Sequence, residues 1–128
     1  MSDSFELRLK FLQQLKTLNA SQPSIEKLVG FCIKHGAQCG EDLWECVLEQ
    51  TQQVRRFKLR AYVQSSLNTR INILYFLDSL CDLSITVGPP DAPYLHLVAR
   101  DLAVVVNNVV PDSREGVLNL MSAKQVGR

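Results

Sequence analysis

Excess charge of either sign is the first thing this chain lacks. Fourteen Lys and Arg against thirteen Asp and Glu leave a formal charge of +1 over 128 residues. That balance excludes the long-range field by which strongly basic proteins gather nucleic acid, so any basic surface has to be local. No segment approaches the roughly 18 consecutive apolar residues of a membrane span. The opening M-S-D-S-F-E-L-R also lacks the basic start and apolar stretch of a secretory signal. A soluble intracellular protein is the expectation. Histidine is scarce: His35 and His96 fall on different predicted helices, neither beside an obvious nucleophile–base partner. No G-x-S-x-G and no phosphate loop occurs, so no motif points to an enzyme.

Cysteine occurs four times without a C-x-x-C pair, which makes a disulfide framework a poor reading in the absence of a signal peptide. Cys32, Cys39 and Cys46 recur every seven residues with His35 between the first two, so zinc has to be weighed. Structural zinc sites show tighter ligand pairs, and buried reduced thiols acting as small hydrophobes are the better reading. No metal or cofactor is expected.

What the chain does have is 46% hydrophobic residues, spaced throughout at the steps of three and four that mark helices. Its length fits one compact domain over 1–128. A first helix is expected after Asp3, whose side chain caps it with Glu6 reaching back; Phe5, Leu9, Leu12, Leu15 and Leu18 mark its inner face. Ser21 or Ser24 caps a second helix, with Pro23 in its first turn and Ile25, Leu28, Val29, Cys32 and Ile33 inside. Gly36 is read as a left-handed stop. A third helix follows Gly40, burying Leu43, Trp44, Cys46 and Val47.

Residues 51–66 fit a continued helix, a short extra helix or an ordered loop. A fourth helix starts at Ser65 or Ser66 and runs to about Asp82 or Leu83. S-I-T-V-G-P-P-D-A-P then reads as a loop. A fifth spans about Pro93 to Val109, with Leu97, Val98, Leu102, Val105, Val106 and Val109 inward. Pro111 ends it, and Asp112 or Ser113 caps a sixth helix. The chain stops at Q-V-G-R before that helix reaches a full amphipathic length, so it reads as the N-terminal part of a longer polypeptide.

The fourth helix carries the sharpest pattern. At one hundred degrees per residue, Asn68, Asn72, Tyr75, Ser79, Asp82 and Thr86 share a narrow polar stripe, and most of the remaining circumference is apolar. Asp78 lies at the edge of that stripe within L-Y-F-L-D-S-L-C-D. It is expected first to anchor the fold by accepting hydrogen bonds, and second to line a peptide groove with Asn72, Tyr75, Ser79 and Asp82. Arg70, on the far side, is expected to reach outward. A second candidate is the basic stretch Arg55, Arg56, Lys58 and Arg60, with Phe57 and Tyr62 available for stacking on an anion or nucleic acid. Charge runs usually solvate, so nucleic-acid binding is not the preferred reading.

L-Y-F-L-D-S-L at 74–80, on the fourth helix of an all-helical chain, resembles the motif of the CTD-interacting domains (CIDs), which are similar in fold to VHS and ENTH domains. The resemblance implies an all-α, right-handed superhelix of about six to eight helices. Family members bind the repeated C-terminal tail of RNA polymerase II. Their motif tyrosine and aspartate fall on Tyr75 and Asp78, the aspartate accepting a hydrogen bond from the tail's tyrosine hydroxyl. Where the family continues with a lysine and an asparagine, this chain has Asp82 and Leu83, which replaces a favourable contact by one that repels a phosphorylated tail. The family's phosphate-reading arginine lies on a late helix, and Arg114 is the only residue near that region with the right chemistry. A membrane role by analogy to VHS and ENTH domains finds no support in the first helix, which lacks a basic amphipathic face.

Three longer blocks, F-E-L-R-L-K-F-L-Q-Q-L-K-T-L-N-A-S-Q, G-E-D-L-W-E-C-V and S-L-N-T-R-I-N-I-L-Y-F-L-D-S-L-C-D, resemble the gamma subunits of fungal CTD kinase complexes. That resemblance implies a nuclear, non-catalytic subunit partnered by a cyclin-dependent kinase and its cyclin, acting in transcription elongation. The alternative is a reader of the polymerase tail through the groove on the fourth helix.

Overall fold

The computed structural model describes residues 4–57 and 63–109, with side chains for 4–54 and 68–109. Among the described residues the chain is all-helical: α1 (Ser4–Lys16), α2 (Gln22–Phe57), α3 (Val63–Val87) and α4 (Tyr94–Val109). α2 touches each of the other three helices, and α3 also packs on α4. The sixth helix expected beyond Pro111, Asp3 as a cap, and Arg114 lie outside the described residues.

α1 buries Leu7, Phe11 and Leu15, a stripe at steps of four. The face expected from the sequence was rotated from this one. Phe5 is 65% and Leu9 47% exposed, while Leu15 belongs to both stripes and Leu12 and Leu18 pack against the core half-buried. Both stripes are apolar, and only contact with α2, where the Phe11 and Phe31 rings lie 5.7 Å apart, decides between them. Ser21 caps α2 by accepting the Ser24 N–H at 3.3 Å, with Pro23 in the first turn where its missing donor costs nothing.

α2 contains two helical stretches separated by a kink at Cys39 (φ −144°, ψ 33°). The break falls inside the Gly36–Gly40 interval, but Gly36 is not its left-handed stop: among the described residues only Gly88 has positive φ. The glycines serve close approach instead. A Cβ at Gly36 would run into the Asp91 carbonyl oxygen, and one at Gly40 would sit 2.7 Å from Pro93 Cγ. Beyond the kink, α2 continues to Phe57, so the first part of 51–66 is continued helix and 63–66 already belong to α3.

α3 also runs further than its sequence suggested. Ser84–Val87 are helical, and the helix ends at Gly88 (φ 73°), whose N–H returns to the Ser84 carbonyl at 2.9 Å. This left-handed cap satisfies a terminal carbonyl that the following prolines have no N–H to reach. In the core, α3 contributes Ile73, Leu74, Phe76, Leu77 and Leu80. Arg70 is buried as well, at 1% exposure, and is engaged there. This reverses the outward orientation expected of it: position 70 falls on the same arc as Ile73 and Leu77, and its long stem packs with them.

α4 is keyed to α2 by three polar contacts. The Tyr94 hydroxyl donates to the Cys32 carbonyl at 2.6 Å, the Trp44 indole N–H to Asp101 Oδ2 at 2.7 Å, and Asn108 Nδ2 to Thr51 Oγ1 at 3.1 Å. Polar side chains thus occupy inward positions of α4, and Leu102, expected inside, is 50% exposed.

Candidate functional site

The polar stripe predicted on the fourth helix is real, and it lies on α3. Asn68, Tyr75, Asp82 and Thr86 are exposed, Asn72 and Ser79 half-buried. Opposite them lies the buried arc of Ile73, Phe76, Leu77 and Leu80. Asp78 is also exposed. It makes no hydrogen bond or ion pair among the described residues, so the expectation that it anchors the packing is overturned. In L-Y-F-L-D-S-L the apolar neighbours turn inward while Asp78 points along the outer arc, and a solvated carboxylate needs no internal partner. Its charge acts instead on half-buried Cys81, whose thiol is pushed up first by burial and then by Asp78.

Three of the five groove candidates line two hollows. Ser79 and Asp82 line a cleft of about 380 Å³ between the start of α2 and the end of α3, together with Gln22, Glu26, Val29, Gly30, Leu83 and Thr86. Asn72 lines a separate hollow of about 120 Å³ with Leu15, Lys16, Leu18, Gln50, Thr69 and Ile73. Tyr75 and Asp78 line neither of these two and are exposed on α3. Of the basic stretch, Arg55 and Arg56 fall in the last turn of α2 without described side chains, and Lys58 and Arg60 lie outside the described residues.

The half of the cleft that sequence reasoning missed comes from α2. Gln22, Glu26, Val29 and Gly30 recur at i, i+4, i+7 and i+8, the spacing of one helical face. The signal was present, but Val29 also belongs to the buried stripe and drew attention to the core. Gln22 Nε2 donates to Glu26 Oε1 at 3.0 Å, which holds that carboxylate along the rim.

Two arginines elsewhere hold carboxylate partners. Arg8 of α1 binds Glu49 at 2.9 Å and Glu45 at 3.2 Å, tying α1 to the second half of α2. Arg100 reaches Asp101 at 2.8 Å and Glu41 at 3.3 Å. Hydrogen bonds from Arg100 and then from Trp44 hold the Asp101 carboxyl below the usual carboxylate range. His35 packs its ring 4.6 Å from Phe31, and burial followed by the Lys34 and Lys10 charges lowers its pKa. His96 is exposed on α4.

Cys32, Cys39 and Cys46 are buried free thiols. Burial pushes Cys46 up to about 11, as suits small hydrophobes. Among the described residues no three His, Cys, Asp or Glu side chains converge as metal ligands, and no helix is long and apolar enough to cross a membrane.

The family model for CTD kinase subunit gamma, CTK3, matches residues 2–128. The chain belongs to the CTD kinase subunit gamma family. Its similarity to the CTD kinase subunit gamma of Schizosaccharomyces pombe is 38% identity over 124 residues, which is 97% of this chain and 51% of that relative. The chain thus spans about half the length of the curated relative it matches. Among solved structures, one described as a non-canonical CID of Ctk3 superposes with a TM-score of 0.78 at 37% identity, covering 98% of this chain and 80% of that one. The gamma-subunit fold is therefore that of a CID, as the L-Y-F-L-D-S-L resemblance implied.

Proposed function

We propose that this chain acts as a non-catalytic regulatory subunit of a CTD kinase complex, joining a cyclin-dependent kinase and its cyclin by protein–protein contacts in the nucleus. The observation that carries this reading is the match to the gamma-subunit family over nearly the whole chain. The surface chemistry is consistent with it. The described histidines are separated, His35 against Phe31 and His96 alone on α4, and neither sits in the α2–α3 cleft. Co-expression with the kinase and cyclin subunits tests it: stable co-purification of the three and loss of assembly when the domain is omitted are expected. Tight binding of the isolated domain to a tail heptad peptide, with no effect on kinase assembly, would count against it.

A second reading, a reader of the polymerase tail through the groove on α3, is favoured by one observation: Tyr75 and Asp78 are both exposed on its outer arc. Against it, the adjacent cleft is walled by Glu26 and Asp82, which disfavour a phosphorylated tail. Anisotropy titration with phosphorylated and unphosphorylated tail peptides separates the two readings. An affinity unchanged by Asp78→Asn removes the tail-reading role.

A further inference from the structure

Arg8 and Arg100 engage Glu41, Asp42, Glu45, Glu49 and Asp101. Glu6, Glu26, Asp78, Asp82 and Asp91 have no cationic partner among the described residues, and two of them, Glu26 on α2 and Asp82 on α3, stand on opposite walls of the 380 Å³ cleft. No lysine or arginine lines it. Its apolar surface comes from Val29 and Leu83, and its hydrogen-bonding capacity from Gln22, Ser79 and Thr86. Gly30 leaves one wall open: a Cβ built there meets nothing within 4 Å.

We propose that the cleft between α2 and α3 is a docking site for a peptide segment of a partner protein that carries an arginine or lysine beside an aliphatic residue. Charge complementarity selects the occupant. A cation between Glu26 and Asp82 gains two attractive contacts, whereas a phosphate meets two like charges, and a guanidinium offers donors to both carboxylates at once. The volume is at the small end of ligand pockets, which suits one cationic side chain with an aliphatic neighbour against Val29 and Leu83 rather than a long segment. The inference rests on the cleft alone. The assembly reading is tested by co-purification and stands or falls separately.

The test uses a fluorescein-labelled S-A-L-R-L-A-S peptide, the same peptide with glutamate in place of arginine, and one with phosphoserine at its last position. The arginine peptide is expected to bind, and the glutamate peptide at least about tenfold more weakly, with the phosphoserine form weaker than its parent. Asp82→Lys and Glu26→Lys are each expected to weaken binding about threefold or more, and raising salt from about 50 to about 300 mM weakens it further. Both side chains are exposed, so both variants should keep the wild-type melting curve. Amide shifts on titration should centre on Val29, Gly30 and Leu83. Absence of binding, equal affinity for the glutamate peptide, insensitivity to both reversals, or shifts centred elsewhere would each overturn the proposal.

Discussion

Two glycines six positions apart in α2, Gly30 and Gly36, should respond to the same substitution with opposite signs. Replacing a helical glycine by alanine removes backbone entropy from the unfolded chain and gains about 1 kcal/mol. At Gly30 nothing lies within 4 Å of the added methyl, so Gly30→Ala should realise that gain. At Gly36 the methyl enters the Asp91 carbonyl and comes within 3.3 Å of Pro93 Cδ. Backbone cannot rotate aside as a side chain does, so the 88–93 segment must move, at an overpacking cost of roughly 1–3 kcal/mol. That displacement also pulls on Tyr94, whose 2.6 Å bond to the Cys32 carbonyl contributes about 1 kcal/mol. After the propensity gain is subtracted, Gly36→Ala should be destabilised by about 2 kcal/mol. The two variants should then differ by about 3 kcal/mol, or roughly 12 °C in Tm at about 4 °C per kcal/mol for a domain of this size. Thermal unfolding followed by circular dichroism at the helix band reads this directly. A Gly36→Ala protein as stable as wild type would refute the close approach between α2 and the segment before α4.

Other perturbations test other contacts. Tyr94→Phe keeps the buried ring and deletes its hydroxyl, so urea unfolding should show a loss of about 1 kcal/mol with an unchanged m-value. Asp101 has a folded pKa held below its unfolded value by Arg100 and Trp44. Its contribution is therefore present above the unfolded carboxylate range, about pH 4, and is lost as pH falls through the depressed folded value. Asp101→Asn should accordingly flatten the acid limb of a stability–pH curve while lowering stability at neutral pH. Asp78→Asn, at an exposed position without a described partner, should leave Tm within the scatter of surface substitutions, about 0.5 kcal/mol; a larger loss would restore the anchoring role that its exposure argues against.

Apolar periodicity was enough to read the inner faces of both halves of α2 and the limits of α4, because those stripes are flanked by charged or polar positions. It failed on α1, where Phe5 and Leu9 compete with Leu7 and Phe11 and only tertiary contact chooses. It failed again on α3, since a helix ending in T-V-G followed by two prolines looks like a loop until Gly88 is seen to cap it. Arg70 and Asp78 exchanged roles for a related reason. Both are charged residues in an apolar run, and the side of the helix on which the core lies is a property of α2 and α4, not of the run itself. The cleft was half visible: Ser79 and Asp82 stood out on a polar stripe, while its other wall could be named only after α2 and α3 were brought together.

The three polar contacts between α2 and α4 also work as a ruler. On α4 the anchors recur every seven residues, at 94, 101 and 108, and on α2 the last two, 44 and 51, keep the same interval. Between Cys32 and Trp44 a straight helix would advance about 18 Å against about 10.5 Å on α4. The kink at Cys39 lies between those two anchors and shortens the path. Shifting α4 along its neighbour by one turn would misalign all three contacts together, although valines and alanines would still find apolar surface. In a helix so rich in interchangeable aliphatic side chains, hydrophobic burial brings α4 to α2, and the tyrosine, the aspartate and the asparagine tell it where to stop.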